Sequence, residues 1–174
     1  MPESQKPPEL PEDFQKKMEE LQKAEDNAFM KDYSDVSIDD LISRGFVIHT
    51  IEITKGFTVK MRTLKKKEEL EVKQRLSTYD GAQMYVVDQI NTDTLAFAAM
   101  EINGVPLPTA EQKNKEGKSL TVFEARKEII TELGDVLCLA MIEEYRSLNK
   151  ALVILVKGSS KNSLARLLLG QERA

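Results

Sequence analysis

Phe46-Val-Ile-His-Thr-Ile-Glu-Ile-Thr-Lys-Gly-Phe-Thr-Val-Lys-Met-Arg-Thr-Leu64 is the only stretch of this 174-residue chain with strict alternation of apolar and polar residues. Alternation at period two puts one set of side chains on each face of a ribbon. The break at Thr54-Lys55-Gly56 predicts a three-residue hairpin loop, with glycine last because that position takes a positive φ. Closed there, the hairpin pairs Ile53 with Phe57, Ile51 with Val59, His49 with Met61 and Val47 with Thr63, all on one mostly apolar face. Thr50, Glu52, Thr58, Lys60 and Arg62 fall on the other face, which is expected to be wet.

On either side of the hairpin the apolar spacing is helical. Upstream, residues 1–11 hold four of the six prolines and no hydrophobic pattern, and read as an extended tail. Pro11-Glu12-Asp13 suits the first turn of a helix, in which Phe14, Met18, Leu21 and Ala28 form a narrow stripe among charges. After a linker from Tyr33 to Val36, Ser37 to Gly45 reads as a short helix with a serine N-cap and a terminal glycine. Downstream, a charged helix is expected over 65–76, with Leu70, Val72 and Leu76 as its apolar contacts. Thr78 to Gly81 reads as a break. A second helix is expected over 82–102, with Met84, Val87, Leu95, Ala98 and Ile102 near one face, ended by Asn103-Gly104 and by Pro106 and Pro108.

Residues 109–118 read as a polar loop. A helix from Ser119 to about Leu133 and a long helix from Asp135 follow; the run Ala151-Leu-Val-Ile-Leu-Val156 is either the last turns of that helix or a buried strand, with helix favoured. Lys157 to Lys161 breaks the pattern, and Asn162 to Leu169 forms a last short helix bearing Leu164, Leu167, Leu168 and Leu169. The expected fold class is α+β, predominantly α: a small hairpin packed on a helical domain, with extended N- and C-terminal segments. The expected organisation is an acidic arm over 1–35, one globular domain over 36–157 and a C-terminal helix over 158–174.

Composition sets limits on function. At 41% hydrophobic the chain can bury one sizeable core, and no apolar run approaches the roughly eighteen residues of a membrane span. The first eight residues lack the apolar segment of a secretory signal, and Cys138 is the sole cysteine, so no internal disulfide exists. Residues 1–35 carry ten acids and five lysines, net −5, while the remainder carries nineteen acids and twenty bases, net +1. A nucleic-acid-binding body is usually clearly basic, and this one is nearly neutral.

The residues of catalysis are sparse. His49 is the single histidine and sits on the apolar face of a strand, which favours a packing role over general-base or metal chemistry. The acids occur in runs such as Glu68-Glu69 and Glu143-Glu144, whose members point in different directions on a helix and read as solvated faces. Cys138 lies in the apolar run Val136-Leu-Cys-Leu-Ala140, a setting that disfavours the thiolate. Lys157-Gly-Ser-Ser-Lys161 lacks the paired glycines and the spacing of a phosphate loop. Lys55, Lys60, Arg62, Lys65, Lys66 and Lys67 form a basic cluster whose run Lys65-Lys66-Lys67 has no aromatic residue interleaved for base stacking. The reading is of a protein that is not an enzyme, holds no metal or cofactor, and engages neither nucleic acid nor membrane.

The order of features resembles the tail and baseplate assembly proteins of tailed bacteriophages, in particular the tail assembly chaperone type. The likeness lies in the strand Phe57-Thr-Val-Lys-Met-Arg-Thr-Leu64 and the charged segment Lys65-Lys-Lys-Glu-Glu-Leu70. It continues in the small-residue motif Ala98-Ala-Met-Glu-Ile-Asn-Gly-Val-Pro-Leu-Pro108, in Glu124-Ala-Arg-Lys-Glu-Ile-Ile-Thr-Glu-Leu-Gly134, and in the helix from Asp135 to Leu148 with Tyr145. It covers about residues 46–150. The resemblance implies a late-expressed, non-enzymatic protein of the bacterial host cytoplasm that handles another tail protein, such as a tape measure or baseplate hub, during assembly. A tail or baseplate component retained in the virion is the alternative, and an oligomer is left open. Partner binding is assigned, from the residues themselves, to two amphipathic segments: Phe14, Met18 and Leu21 near one end, and Leu164, Leu167, Leu168 and Leu169 near the other.

Overall fold

The computed structural model describes residues 11–79, 83–114 and 116–159. The chain divides into two compact units between Ser34 and Asp35. The first contains α1 (Glu12–Phe29), which starts on Pro11 with Glu12 and Asp13 in its first turn, where acids complement the helix dipole. Just beyond it, the rings of Phe29 and Tyr33 stack with centroids 4.9 Å apart.

The second unit begins with α2 (Ile38–Arg44), capped as its sequence predicts: Ser37 Oγ accepts from Asp39 N, and Gly45 closes the helix at φ 75°. Then come β1 (Ile48–Thr54) and β2 (Phe57–Arg62). Their register matches the expected one from Ile48↔Arg62 through His49↔Met61 and Ile51↔Val59 to Glu52↔Thr58. At the tip it does not. Thr54, not Ile53, pairs with Phe57, and the register shifts between Glu52 and Thr54. The physical cause is local: Glu52 Oε1 accepts from Gly56 N at 2.8 Å, tightening the turn, with Gly56 at φ 79°. The apolar face is the buried one, with Val47, Val59 and Met61 inaccessible to solvent or nearly so.

α3 (Lys66–Leu76) and α4 (Gln83–Ala98) follow, and two expectations fail there. On α3 only Val72 is buried, while Leu70 and Leu76 are exposed. The residues one turn either side of Val72, Glu68 and Arg75, instead engage Arg62 and the Phe123 ring, so charge pairing and stacking orient the helix. α4 stops four residues earlier than its spacing predicts. Ala99–Ile102 is a strand, β3, hydrogen-bonded to β2 through Val59↔Ile102 and Lys60↔Glu101. Asn103 (φ 51°) and Gly104 (φ 75°) form a two-residue turn that pairs β3 with β4 (Val105–Pro106) through Ile102↔Val105. Asn-Gly is the strongest short hairpin signal, because both central residues of that turn need positive φ. Pro106 is accommodated because β4 is an edge strand of the sheet, whose order is β1-β2-β3-β4. Ile102 therefore belongs to the sheet, and Val87 on α4 is exposed; nothing is described of the Met84 side chain.

The polar segment expected as a loop contains β5 (Gln112–Lys113), paired with β6 (Ser119–Leu120). α5 (Val122–Glu132) begins three residues later than expected, on a capping box in which Thr121 N donates to Glu124 Oε2 at 2.8 Å. α6 (Asp135–Gly158) is one unbroken 24-residue helix, so the apolar run 151–156 is helical. Met141, Leu148 and Ala151, at helical spacing, form its fully buried stripe. α6 packs on β1 and β2, and α4 packs against α3, α5 and α6. The architecture is predominantly helical with a small antiparallel sheet, an α+β arrangement as expected, the sheet having four strands where one hairpin was anticipated. The helix expected over 162–169 lies outside the described residues.

Candidate functional site

The partner-binding residues expected on α1 are all exposed: Phe14 at 50%, Met18 and Leu21 each at 53%. Their i, i+4, i+7 spacing places them on one side of the helix, and α1 buries none of its residues. Leu164, Leu167, Leu168 and Leu169 lie outside the described residues.

A groove lined mainly by polar side chains, not anticipated from sequence, lies on the body. Tyr85, Asp88, Gln89 and Thr92 follow one another at helical spacing on α4 and face the first turn of α6 across an open groove of about 420 Å³. Leu139 and Cys138 line the α6 side, and Thr131 of α5 contributes to the lining. Tyr85 is 51% and Leu139 53% exposed, and Val136, next to the groove residue Asp135, is 80% exposed. Among the described residues, Asp88 and Asp135 are its only charged lining residues. Cys138 is half-buried and its thiol donates to Ile130 O at 3.3 Å. Burial, and then the Asp135 charge, push that thiol above its ordinary value. Val136 and Leu139 fall in the apolar run around Cys138, and an apolar helix does not announce which of its faces lacks a neighbour.

Two polar clusters sit within the helical body. Asp93 of α4 is fully buried and accepts from Lys127 Nζ of α5 at 2.6 Å and from the Tyr79 hydroxyl. Lys127 Nζ also reaches the Tyr79 oxygen at 3.0 Å. Burial lowers the Lys127 pKa, but the bonds to Asp93 and Tyr79 outweigh it, so the ammonium is held above its ordinary value. Tyr79 is pushed up by burial and by Asp93. In the second cluster the Arg62 guanidinium grips Glu68 with two bonds, of 2.8 and 2.7 Å, while Glu68 also accepts from Lys65 N. Arg126 beside it donates Nε to Pro108 O at 2.6 Å, tying α5 to the segment after β4. The first cluster joins α4 and α5 across 34 residues of chain, and the second fastens β2 to the start of α3, both structural uses of buried charge.

Burial pushes the Glu68 carboxyl up, yet the bonds from Arg62 and Lys65 N and the charges of Arg62 and Lys65 together hold it below its ordinary 4.5. A folded pKa below the unfolded one contributes stability above the unfolded value that is lost as pH falls through the folded value. Thermal melts should therefore show the chain losing stability as pH drops below about 4.5, and Glu68→Gln should reduce that loss.

The residues weighed for chemistry are placed as follows. His49 is buried, its Nδ1 2.6 Å from Asp35 Oδ1, bracing β1 against the segment before α2. Half of the basic cluster is in ion pairs: Lys60 with Glu101, Arg62 with Glu68, and Lys66 with Glu69. Lys65 and Arg62 lie over the Phe46 ring. Among the described residues no group of three or more His, Cys, Asp or Glu side chains is arranged to hold a metal ion, and no helix is long and apolar enough to cross a membrane. Comparison with family models, with curated proteins and with solved structures finds no match to this chain.

Proposed function

We propose that the chain is a non-enzymatic assembly protein of a tailed bacteriophage, acting in the host cytoplasm, that binds another tail or baseplate protein during morphogenesis. The observation that supports this reading most directly is α1: an 18-residue helix whose apolar stripe of Phe14, Met18 and Leu21 is half exposed or more. An amphipathic helix with a solvent-facing stripe is the form in which a segment is offered to a groove on another protein. The polar clusters of the body are consumed in internal bonds between elements, consistent with a scaffold that presents binding segments. A component retained in the virion is the second reading, favoured by the same exposed stripe if its cover is permanent.

The triple change Phe14→Ser, Met18→Ser, Leu21→Ser should leave the melting temperature of the body within about 2 °C, since exposed substitutions are small in effect. It should weaken capture of a co-expressed tape-measure or baseplate-hub protein at least tenfold. Unchanged capture of both clients, by a correctly folded variant, would sink the proposal for α1. Peptide mass spectrometry of purified virions separates the two readings: absence of the chain supports an assembly factor, and stoichiometric presence a structural part.

A further inference from the structure

β1 is one edge of the four-stranded sheet. The phase of its ladder decides which of its backbone groups reach β2. Thr63 N donates to Val47 O at 3.0 Å, so Val47 and Thr63 form a bonded pair. Bonded and non-bonded pairs alternate along an antiparallel ladder, which makes His49↔Met61 and Ile51↔Val59 the next bonded ones. Ile48, Thr50 and Glu52 therefore turn their N–H and C=O groups away from β2. The far side of β2 shows the same phase: Thr58, opposite Glu52, accepts from Asn103 N at 2.8 Å and donates its own N–H to Asn103 Oδ1. Among the described residues nothing bonds the outward backbone groups of Ile48, Thr50 and Glu52.

A row of open donors and acceptors is a template for another strand, and edges are commonly guarded by lysine or proline. β1 has neither, and its one carboxylate is Glu52. The ladder shifts register between Glu52 and Thr54, so the regular edge is 48–52 and its midpoint is Thr50. Outward groups spaced evenly about a midpoint are complementary to themselves. Antiparallel pairing there sets Thr50 against Thr50 of a second copy and Ile48 against its Glu52, each pair exchanging both its bonds. Glu52 selects this orientation. In a parallel, in-register pairing the two carboxylates would stand side by side, and like charges directly opposite are unfavourable. In the antiparallel one they lie four residues apart along the strands, about 14 Å, beyond the Debye length of about 8 Å.

We infer that β1 of one molecule pairs antiparallel with β1 of a second copy about a two-fold axis at Thr50, joining two four-stranded sheets into one. The contact is isologous and closes on itself, so association stops at the dimer. It goes beyond the proposed function, because it uses no part of α1 and needs no client.

The test uses the purified full chain alone, so its outcome is independent of any tail protein. Sedimentation velocity should show a monomer–dimer equilibrium with no larger species. Thr50 is exposed, so changes there leave the fold intact, which circular dichroism of dilute protein verifies. Thr50→Asp and Thr50→Lys each set like charges against one another on the axis, and each alone should raise the dissociation constant at least tenfold. The decisive arm mixes the two variants in equal amounts. Opposite charges then meet on the axis, and a one-to-one heterodimer should return, a result that requires position 50 to face itself. A chain monomeric up to roughly 1 mM would overturn the inference and leave the edge to a strand of another protein. So would a dimer indifferent to both variants, or a mixture that stays monomeric while wild type dimerises.

Discussion

Asp93→Ala is expected to be among the most damaging single changes in this chain, lowering stability by about 3–5 kcal/mol, the range for removing one partner of a buried ion pair. Asp93 is fully buried and its carboxylate takes both the Lys127 ammonium and the Tyr79 hydroxyl. Its removal leaves a partly buried cation facing a cavity, and α4 and α5 lose their polar tie. Urea unfolding measures the loss as a shift in midpoint at constant slope. Asp93→Leu combined with Lys127→Met should recover most of it, since apolar side chains of similar volume often replace a buried pair without penalty. A single variant within about 1 kcal/mol of wild type would mean that water reaches Asp93 in solution.

Val59→Asp should unfold the second unit or cost at least about 4 kcal/mol, because it buries a carboxylate with no counter-charge. Val59 is fully buried at the centre of the sheet, paired with Ile51 on β1 and Ile102 on β3. Thr50→Asp, on the exposed side of the same hairpin, should stay within about 0.5 kcal/mol. The contrast between the two melts checks the face assignment itself: similar melts would mean that the alternation does not set which side is buried.

Where neighbours in sequence sufficed, the chain was legible. The period-two pattern of 46–64 determined a hairpin and its buried face because alternation is a property of the strand itself. Ser37 and Gly45 bounded α2 because caps act within a few residues of the bonds they satisfy. The stripe of Phe14, Met18 and Leu21 was readable for the same reason, whereas the run 151–156 stayed open between helix and strand until the structure carried α6 through it.

Only the tertiary structure decided the rest. Ala98-Ala-Met-Glu101 has the composition of a helix, but β2 offers Ala99, Glu101 and Ile102 a ladder and a lysine partner, and pairing outweighs propensity. Asn103-Gly104 carried the turn signal all along, hidden by an apolar spacing that suited a helix up to Ile102. Nothing in the sequence around Asp93 or Lys127 marks the two as partners, and their encounter depends on how α4 crosses α5. The exposed Leu139 and Val136 belong to the same class. Periodicity tells how apolar residues are spaced on a helix, whereas which of them stay uncovered is settled by what packs against it; among the described residues the first turn of α6 borders a groove.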